Sequence, residues 1–145
     1  MKISLSLIFL LTIFSHPSKT KAIHIPCSFL LESPALANAK GTALMYKVKL
    51  SPSFPRTSLS IHAVHLPAPG SYGSFDSYEG YAYIPNEISW HFRLYPTSGI
   101  DPIWSGKIDS ITARLDNIVA EVRPFNSKSG KPGPPILTGH TNSCH

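Results

Sequence analysis

The chain has 145 residues, of which 42% are apolar and 14% charged, with 14 Pro, 9 Gly, two Cys and a formal net charge of +5. This length suits one domain, and the composition is too apolar and too weakly charged for a disordered protein. Scarce Gly argues against a collagen-like repeat, and low charge with Pro spread along the chain argues against a coiled coil. Short extended segments and turns are therefore expected to dominate.

The N-terminus has the pattern of a secretory signal peptide. Lys2 precedes a run of apolar and hydroxyl-bearing residues, 3–14, and polar residues follow. The run is shorter than the roughly 20 residues that a membrane-spanning helix needs. Small residues at Thr20 and Ala22 permit cleavage after the latter. Residues 1–22 are therefore predicted to be a signal peptide, and the mature chain is expected to be secreted to the extracellular space.

Cleavage also changes the charge of the chain. The leader carries three Lys and no acidic residue, so ten basic and eight acidic residues remain and the net charge falls to +2. These basic residues are scattered, whereas nucleic-acid binding normally needs a dense Lys and Arg footprint. No later apolar stretch is long enough to span a bilayer. We therefore expect neither nucleic-acid binding nor membrane insertion after cleavage, and the oligomeric state stays open.

Cys27 and Cys144 lie at opposite ends of the predicted mature chain. In an oxidising compartment such a pair most simply forms one internal disulfide, which would enclose nearly the whole domain. Pairing with another chain and two free thiols are the alternatives. Residues 124–145 are rich in Pro and Gly and are expected to form an irregular strap that returns to the N-terminus. Residues 23–123 would then form the β-sandwich domain.

Alternation of apolar and polar residues predicts the strands. The clearest case is residues 87–95, where Ile88, Trp90, Phe92 and Leu94 share one face, so this segment is predicted to be a half-buried strand. Weaker strands are predicted at 44–50, 58–66 and 80–84, each followed by Pro.

Residues 111–115 and 118–122 are predicted to pair as a hairpin. Asp116 and Asn117 tolerate the positive φ of a two-residue turn, and the resulting register places six apolar residues on one face. Pro124 would end the second strand.

At most one short helix is expected, Pro34–Lys40, with Ser33 as its N-cap and Gly41 beyond its end. Six to eight strands without long helices predict an all-β domain, a single antiparallel β-sandwich or small barrel.

The segment between Leu66 and Tyr83 has the most unusual composition, with four Tyr, one Phe, two acidic residues and three Gly. Loops commonly carry function, and Tyr with Ser and Gly is a recurrent recognition composition. We therefore predict an aromatic loop that binds extracellular carbohydrate or protein; a loop whose rings only cover the sheet edge is the alternative. The predicted ligand-binding residues are Tyr72, Phe75, Asp76, Tyr78, Glu79, Tyr81 and Tyr83.

Catalytic motifs are absent from the sequence, which has no Gly-x-Ser-x-Gly elbow and no His-Glu-x-x-His. No cofactor and no metal ligand is predicted, and the favoured function is non-enzymatic binding. Two enzyme alternatives stay open. Asp76, Glu79 and Glu87 could supply a hydrolase pair, and a copper site would need His at the mature N-terminus, where His24 falls one residue late. A secreted peptide precursor is a further alternative.

Three runs resemble small secreted plant proteins of uncharacterised function. They are SIHAVHLPAP at 60–69, IPNEISW at 84–90 and SKSGKPGP at 127–134. The resemblance would cover most of the mature chain and implies an apoplastic protein. It implies no mechanism and no site residue.

Overall fold

The computed structural model describes residues 23–49 and 54–144. The predicted signal peptide, residues 1–22, lies outside these ranges. No helix within them is long and apolar enough to cross a membrane. The strands are β1 (Cys27–Leu31), β2 (Lys40–Lys49), β3 (Pro55–Val64), β4 (Ser77–Ile84), β5 (Ile88–Pro96), β6 (Trp104–Ile111), β7 (Val119–Asn126), β8 (Lys131–Pro132) and β9 (Leu137–His140). Two short 3-10 helices span Pro69–Tyr72 and Thr141–Ser143.

The strands form one strongly curled antiparallel sheet. Their order is β1-β2-β3-β6-β5-β4-β7-β8, with β9 also paired to β7. The sheet curls until its ends meet, since Glu32 after β1 and Thr138 in β9 exchange two backbone hydrogen bonds of 3.0 and 2.9 Å. The prediction of an antiparallel all-β fold is confirmed.

Alternate residues of each strand fill the interior of the curled sheet. In β1, for example, Cys27, Phe29 and Leu31 are buried while the residues between them are exposed. Tyr78 of β4 is fully buried and packs edge-on against Trp104, with ring centroids 5.0 Å apart. Because one face of each strand packs on the core, the outer face of the sheet is the surface available for binding.

Strand β5 confirms the clearest pattern in the sequence. Trp90 and Leu94 are buried, whereas His91 and Arg93, which lie between them, are exposed. Ile88 shares the inner face but is 46% exposed, because it starts the strand at the rim of the sheet.

The candidate helix Pro34–Lys40 does not form. Ser33 Oγ accepts a hydrogen bond from the Ala35 N–H at 3.2 Å, as an N-cap would, but turns follow and Lys40 already pairs with Val64 of β3. A helix of two turns is too short to be stable without tertiary packing. Lys40, the last residue of the predicted helix, belongs instead to the β2–β3 ladder.

The hairpin predicted around Asn117 is wrong. Asn117 has the φ of 63° that such a turn favours, yet the strands on either side of it do not pair with each other. β6 ends at Ile111, which pairs with Thr57 of β3. β7 begins at Val119 and pairs with β4 over seven residue pairs, and with β9 on its other edge. Residues 112–118 therefore cross between two parts of the sheet.

The C-terminal residues add strands to the fold. β7 continues through Pro124 to Asn126, so Pro124 does not end it as predicted. The Pro124 carbonyl still accepts a hydrogen bond of 2.7 Å from the Gly133 N–H. After β9, Cys144 forms the predicted disulfide with Cys27, and their Cα atoms lie 5.4 Å apart. The bond joins the two ends of the chain next to the place where the sheet closes.

Candidate functional site

The seven residues predicted as a binding loop do not share a loop, and this prediction is corrected. β4 begins at Ser77, so the last four of the seven lie on a strand. Gly80 lies within β4, where a Cβ would collide with the Phe92 ring on the adjacent strand β5. Glycine is needed at this position for close packing.

Four of the predicted residues stabilise the fold instead of forming a common site. Asp76 accepts hydrogen bonds from the Ser127 hydroxyl at 2.5 Å and the Ser127 N–H at 2.9 Å, and these bonds lower the pKa of Asp76. Tyr78 lies in the core, where burial raises its pKa and its hydroxyl donates to the Pro67 carbonyl at 2.7 Å. Tyr72 packs against the core, and a Cβ on Gly133 would touch the Phe75 ring.

Glu79, Tyr81 and Tyr83 occupy alternate positions of β4 and lie on the outer face of the sheet. Tyr81 pairs in register with His91 of β5 on one side and Glu121 of β7 on the other. Two residues further along β7, Arg123 lies opposite Glu79. We call these side chains the aromatic–carboxylate cluster; its members are Glu79, Tyr81, Tyr83, His91, Glu121 and Arg123.

A buried ion pair lies at one side of the cluster. Arg123 contacts Glu121 Oε2 through Nε at 2.6 Å and through a terminal nitrogen at 2.5 Å. The two side chains are 23% and 6% exposed. Tyr83 donates its hydroxyl hydrogen to the other carboxylate oxygen of Glu121 at 3.2 Å. The Glu121 carboxylate therefore receives three contacts, two from Arg123 and one from Tyr83.

The rings of the cluster are grouped around Tyr81. The Arg123 guanidinium lies 4.3 Å from the centroid of the Tyr81 ring. The ring centroids of His91 and Tyr83 lie 4.5 and 5.2 Å from that of Tyr81. The tyrosines are half-buried and His91 is exposed, so ring surface is available to a ligand.

Glu79 is the unusual member of the cluster. Its side chain is only 6% exposed, and Oε1 is buried with no hydrogen-bond partner. His91 Nδ1 lies 3.6 Å from this oxygen, beyond normal hydrogen-bond distance. Burial raises the pKa of Glu79, and the nearby His91 and Arg123 oppose the increase only in part.

The raised pKa predicts a specific dependence of stability on pH. The folded chain binds the Glu79 proton more tightly than the unfolded chain does. Protonation of Glu79 therefore stabilises the fold fully below the ordinary pKa of 4.5, and this stabilisation is lost as the pH rises through the raised pKa. The free energy of unfolding, measured with urea from pH 4 to pH 8, should decline for the wild type, and the decline should be smaller for Glu79→Gln. Glu87→Gln, in an exposed turn, is the control. An identical decline in both variants would contradict the prediction.

The carboxylates suggested as a hydrolase pair do not come together. Asp76 precedes β4 and Glu87 follows it, so the eight-residue strand separates them, a span of about 25 Å at roughly 3.3 Å per residue. Glu79 instead has Glu121 as a neighbour, at a diagonal position on the adjacent strand.

A groove beside the disulfide is another candidate site. It is a groove of about 360 Å³ lined by Ser28, Phe29, Leu30, Glu32, Thr42 and Ser143. Its one charged side chain, Glu32, is exposed and already paired with Lys40 at 2.8 Å. No buried, unpartnered side-chain polar atom of the described residues lines the groove, whereas Glu79 Oε1 is such an atom in the aromatic–carboxylate cluster, which is the stronger candidate.

Within residues 23–49 and 54–144, no group of three or more His, Cys, Asp or Glu side chains is placed to hold a metal ion. His65 contacts Asp101 at 2.6 Å, but both side chains are largely exposed. His24 is exposed at the start of the described chain.

Sequence reasoning missed Glu121 and Arg123, and it placed His91 on a polar face without a role. A signal was present, because Glu79-x-Tyr81-x-Tyr83 and Glu121-x-Arg123 are both period-two patterns that put polar groups on one face. The predicted hairpin paired Glu121 with the segment 111–115. In the structure β7 pairs with β4, which brings the two patterns side by side.

Together, fold and site define a small, disulfide-closed antiparallel β protein with an aromatic and charged cluster on its outer sheet face. The chain belongs to the YoqH family: the family model described as "SPbeta prophage-derived uncharacterized protein YoqH" matches residues 23–145. The chain is similar to the protein of that name from Bacillus subtilis (strain 168), at 52% identity over 145 residues and 97% of each chain. No solved structure matches.

This family membership corrects the resemblance to secreted plant proteins, since the relative comes from a Bacillus prophage. The three runs behind that resemblance lie at strand ends and turns: 60–69 closes β3, 84–90 joins β4 to β5, and 127–134 links β7 to β8. Their Pro and Gly content follows from this local geometry, so it does not indicate a plant origin.

Proposed function

We propose that the chain is a secreted, non-enzymatic protein that binds carbohydrate through the aromatic–carboxylate cluster. The observation that carries the proposal is the arrangement around Tyr81, where two further rings lie within 5.2 Å and the Arg123 guanidinium lies at 4.3 Å. Aromatic side chains supply flat apolar contact surface for the C–H faces of sugars, and a few polar groups fix a ligand's orientation.

Secretion is supported by two features of the chain. Residues 1–22 have the pattern of a signal peptide. The disulfide between Cys27 and Cys144 suits an oxidising compartment. Protein recovered from the culture medium should begin at Ile23 and weigh two hydrogen atoms less than the reduced chain. A first residue of Met1 would contradict secretion by cleavage.

Glycan binding is tested with a panel of oligosaccharides. Chitotetraose, cellotetraose and mannotetraose are the neutral members, tetragalacturonate is the anionic one, and binding is followed by titration calorimetry. We expect the wild type to bind at least one member and Tyr81→Ala/Tyr83→Ala to lose at least tenfold in affinity, because stacking on a ring is worth about 1–3 kcal/mol in comparable sites.

Tyr46→Ala is the matched control, since Tyr46 is a half-buried tyrosine on β2, away from the cluster. It should bind as the wild type does. A wild type that binds no glycan, but captures an extracellular protein through the same tyrosines, would replace carbohydrate with protein as the ligand. Binding that survives the double substitution would place the site elsewhere.

A carboxylate-based hydrolase is the second candidate function. One observation favours it: Glu79, whose pKa is raised by burial, lies diagonal to Glu121, which is paired with Arg123. Diagonal residues on adjacent strands lie about 7–8 Å apart, and glycosidases use a pair of carboxyl groups. Release of reducing ends from a panel member by the wild type, and its loss in Glu121→Gln, would establish this activity in place of simple binding.

A further inference from the structure

The buried carboxylate oxygen of Glu79 lacks the partner that such atoms normally have. Oε1 makes no hydrogen bond, and the side chain that carries it is 94% buried. Most buried polar atoms in native proteins are paired, and an unpaired acceptor is costly. Tyr81, two residues further along β4, lies on the same face of the sheet as Glu79, and its ring is 5.2 Å from that of Tyr83. The atom is therefore a candidate to receive a group from a ligand.

The surrounding charges select the kind of group that fits. Arg123 faces Glu79 from β7, and His91 and Arg93 face it from β5. The guanidinium groups of Arg93 and Arg123 disfavour a positively charged ligand group, whereas the carboxylates of Glu79 and Glu121 disfavour an anion. An uncharged hydrogen-bond donor meets neither repulsion.

We infer that the ligand is a neutral glycan, anchored by a hydroxyl or amide N–H that donates to Glu79 Oε1. This inference rests on the proposed function and adds the anchoring atom and the charge class of the ligand. His91 covers Oε1 at 3.6 Å but is itself 53% exposed and makes no hydrogen bond of normal length to it. Rotation of this ring opens the path to the carboxylate, and the sugar then lies against Tyr81.

The experiment compares two substitutions of Glu79 on the same glycan panel. Glu79→Met removes the acceptor, and it should reduce affinity for the neutral glycan by about tenfold or more. Glu79→Gln keeps a carbonyl acceptor and should stay within a few-fold of the wild type. Because Glu79→Met also removes an unpaired buried carboxyl, its urea unfolding midpoint should equal or exceed that of the wild type, which excludes misfolding as the cause of lost binding.

A second measurement follows the Glu79 carboxyl carbon by NMR during a pH titration. A donor bonded to the carboxylate favours the ionised form, so saturating neutral glycan should lower the pKa of Glu79.

The outcomes separate the two claims. Unchanged affinity in Glu79→Met, a preference for tetragalacturonate, or an unmoved pKa would overturn the inference while the proposed binding surface stands. A wild type that binds no panel member would reject the proposed function, and the inference with it.

Discussion

Replacing both Cys27 and Cys144 with Ala is expected to lower the free energy of unfolding by about 4 kcal/mol. The bond spans 117 residues of sequence, so its removal releases nearly the whole chain to a larger unfolded ensemble. It also ties the end of β9 to β1, beside the backbone bonds between Glu32 and Thr138 that close the sheet. Urea unfolding of the oxidised wild type against the double variant measures the effect.

Reduction of the wild type provides an independent version of the same experiment. Reduced wild type and the double variant should unfold at the same urea concentration, both well below the oxidised protein. Equal midpoints for oxidised and reduced wild type would show that the bond does not stabilise the fold.

Arg123→Met should lower the free energy of unfolding at pH 7 by about 3 kcal/mol, because it leaves Glu121 buried without its cation. Glu121 is only 6% exposed, and the Tyr83 hydroxyl would be its remaining donor. Urea unfolding of the wild type and the variant at pH 7 gives the comparison.

Arg114→Met is the matched control for this substitution. Arg114 contacts Asp116 at 3.6 Å, but its side chain is 77% exposed, and exposed pairs contribute about 0–1 kcal/mol. If Arg114→Met and Arg123→Met destabilise equally, the assignment of a buried ion pair is contradicted.

Local sequence patterns predicted the strands well but not their partners. β5 was predictable because Trp90 and Leu94 alternate with polar residues over a whole strand. The hairpin around Asn117 failed although its turn chemistry was correct, with φ at 63°. Strand pairing depends on every competing strand. The ladder that β7 forms with β4 is longer than the ladder of the predicted hairpin.

The candidate site was predictable only in part, for a related reason. Glu79, Tyr81 and Tyr83 were identified by composition, but they were assigned to a binding loop. Gly80 beside them makes room for the Phe92 ring, a contact between strands that composition does not report. Glu121 and Arg123 became visible only through the β4–β7 register, since sequence separates them from Tyr81 by some forty residues.

We propose that the outer face of β4, β5 and β7 binds carbohydrate, and NMR mapping of backbone amide shifts during addition of a bound panel oligosaccharide tests this. The largest shifts should fall on Glu79, Tyr81, His91, Glu121 and Arg123. Shifts that are confined to the groove lined by Ser28, Leu30 and Thr42, or that are absent at saturating ligand, would contradict it.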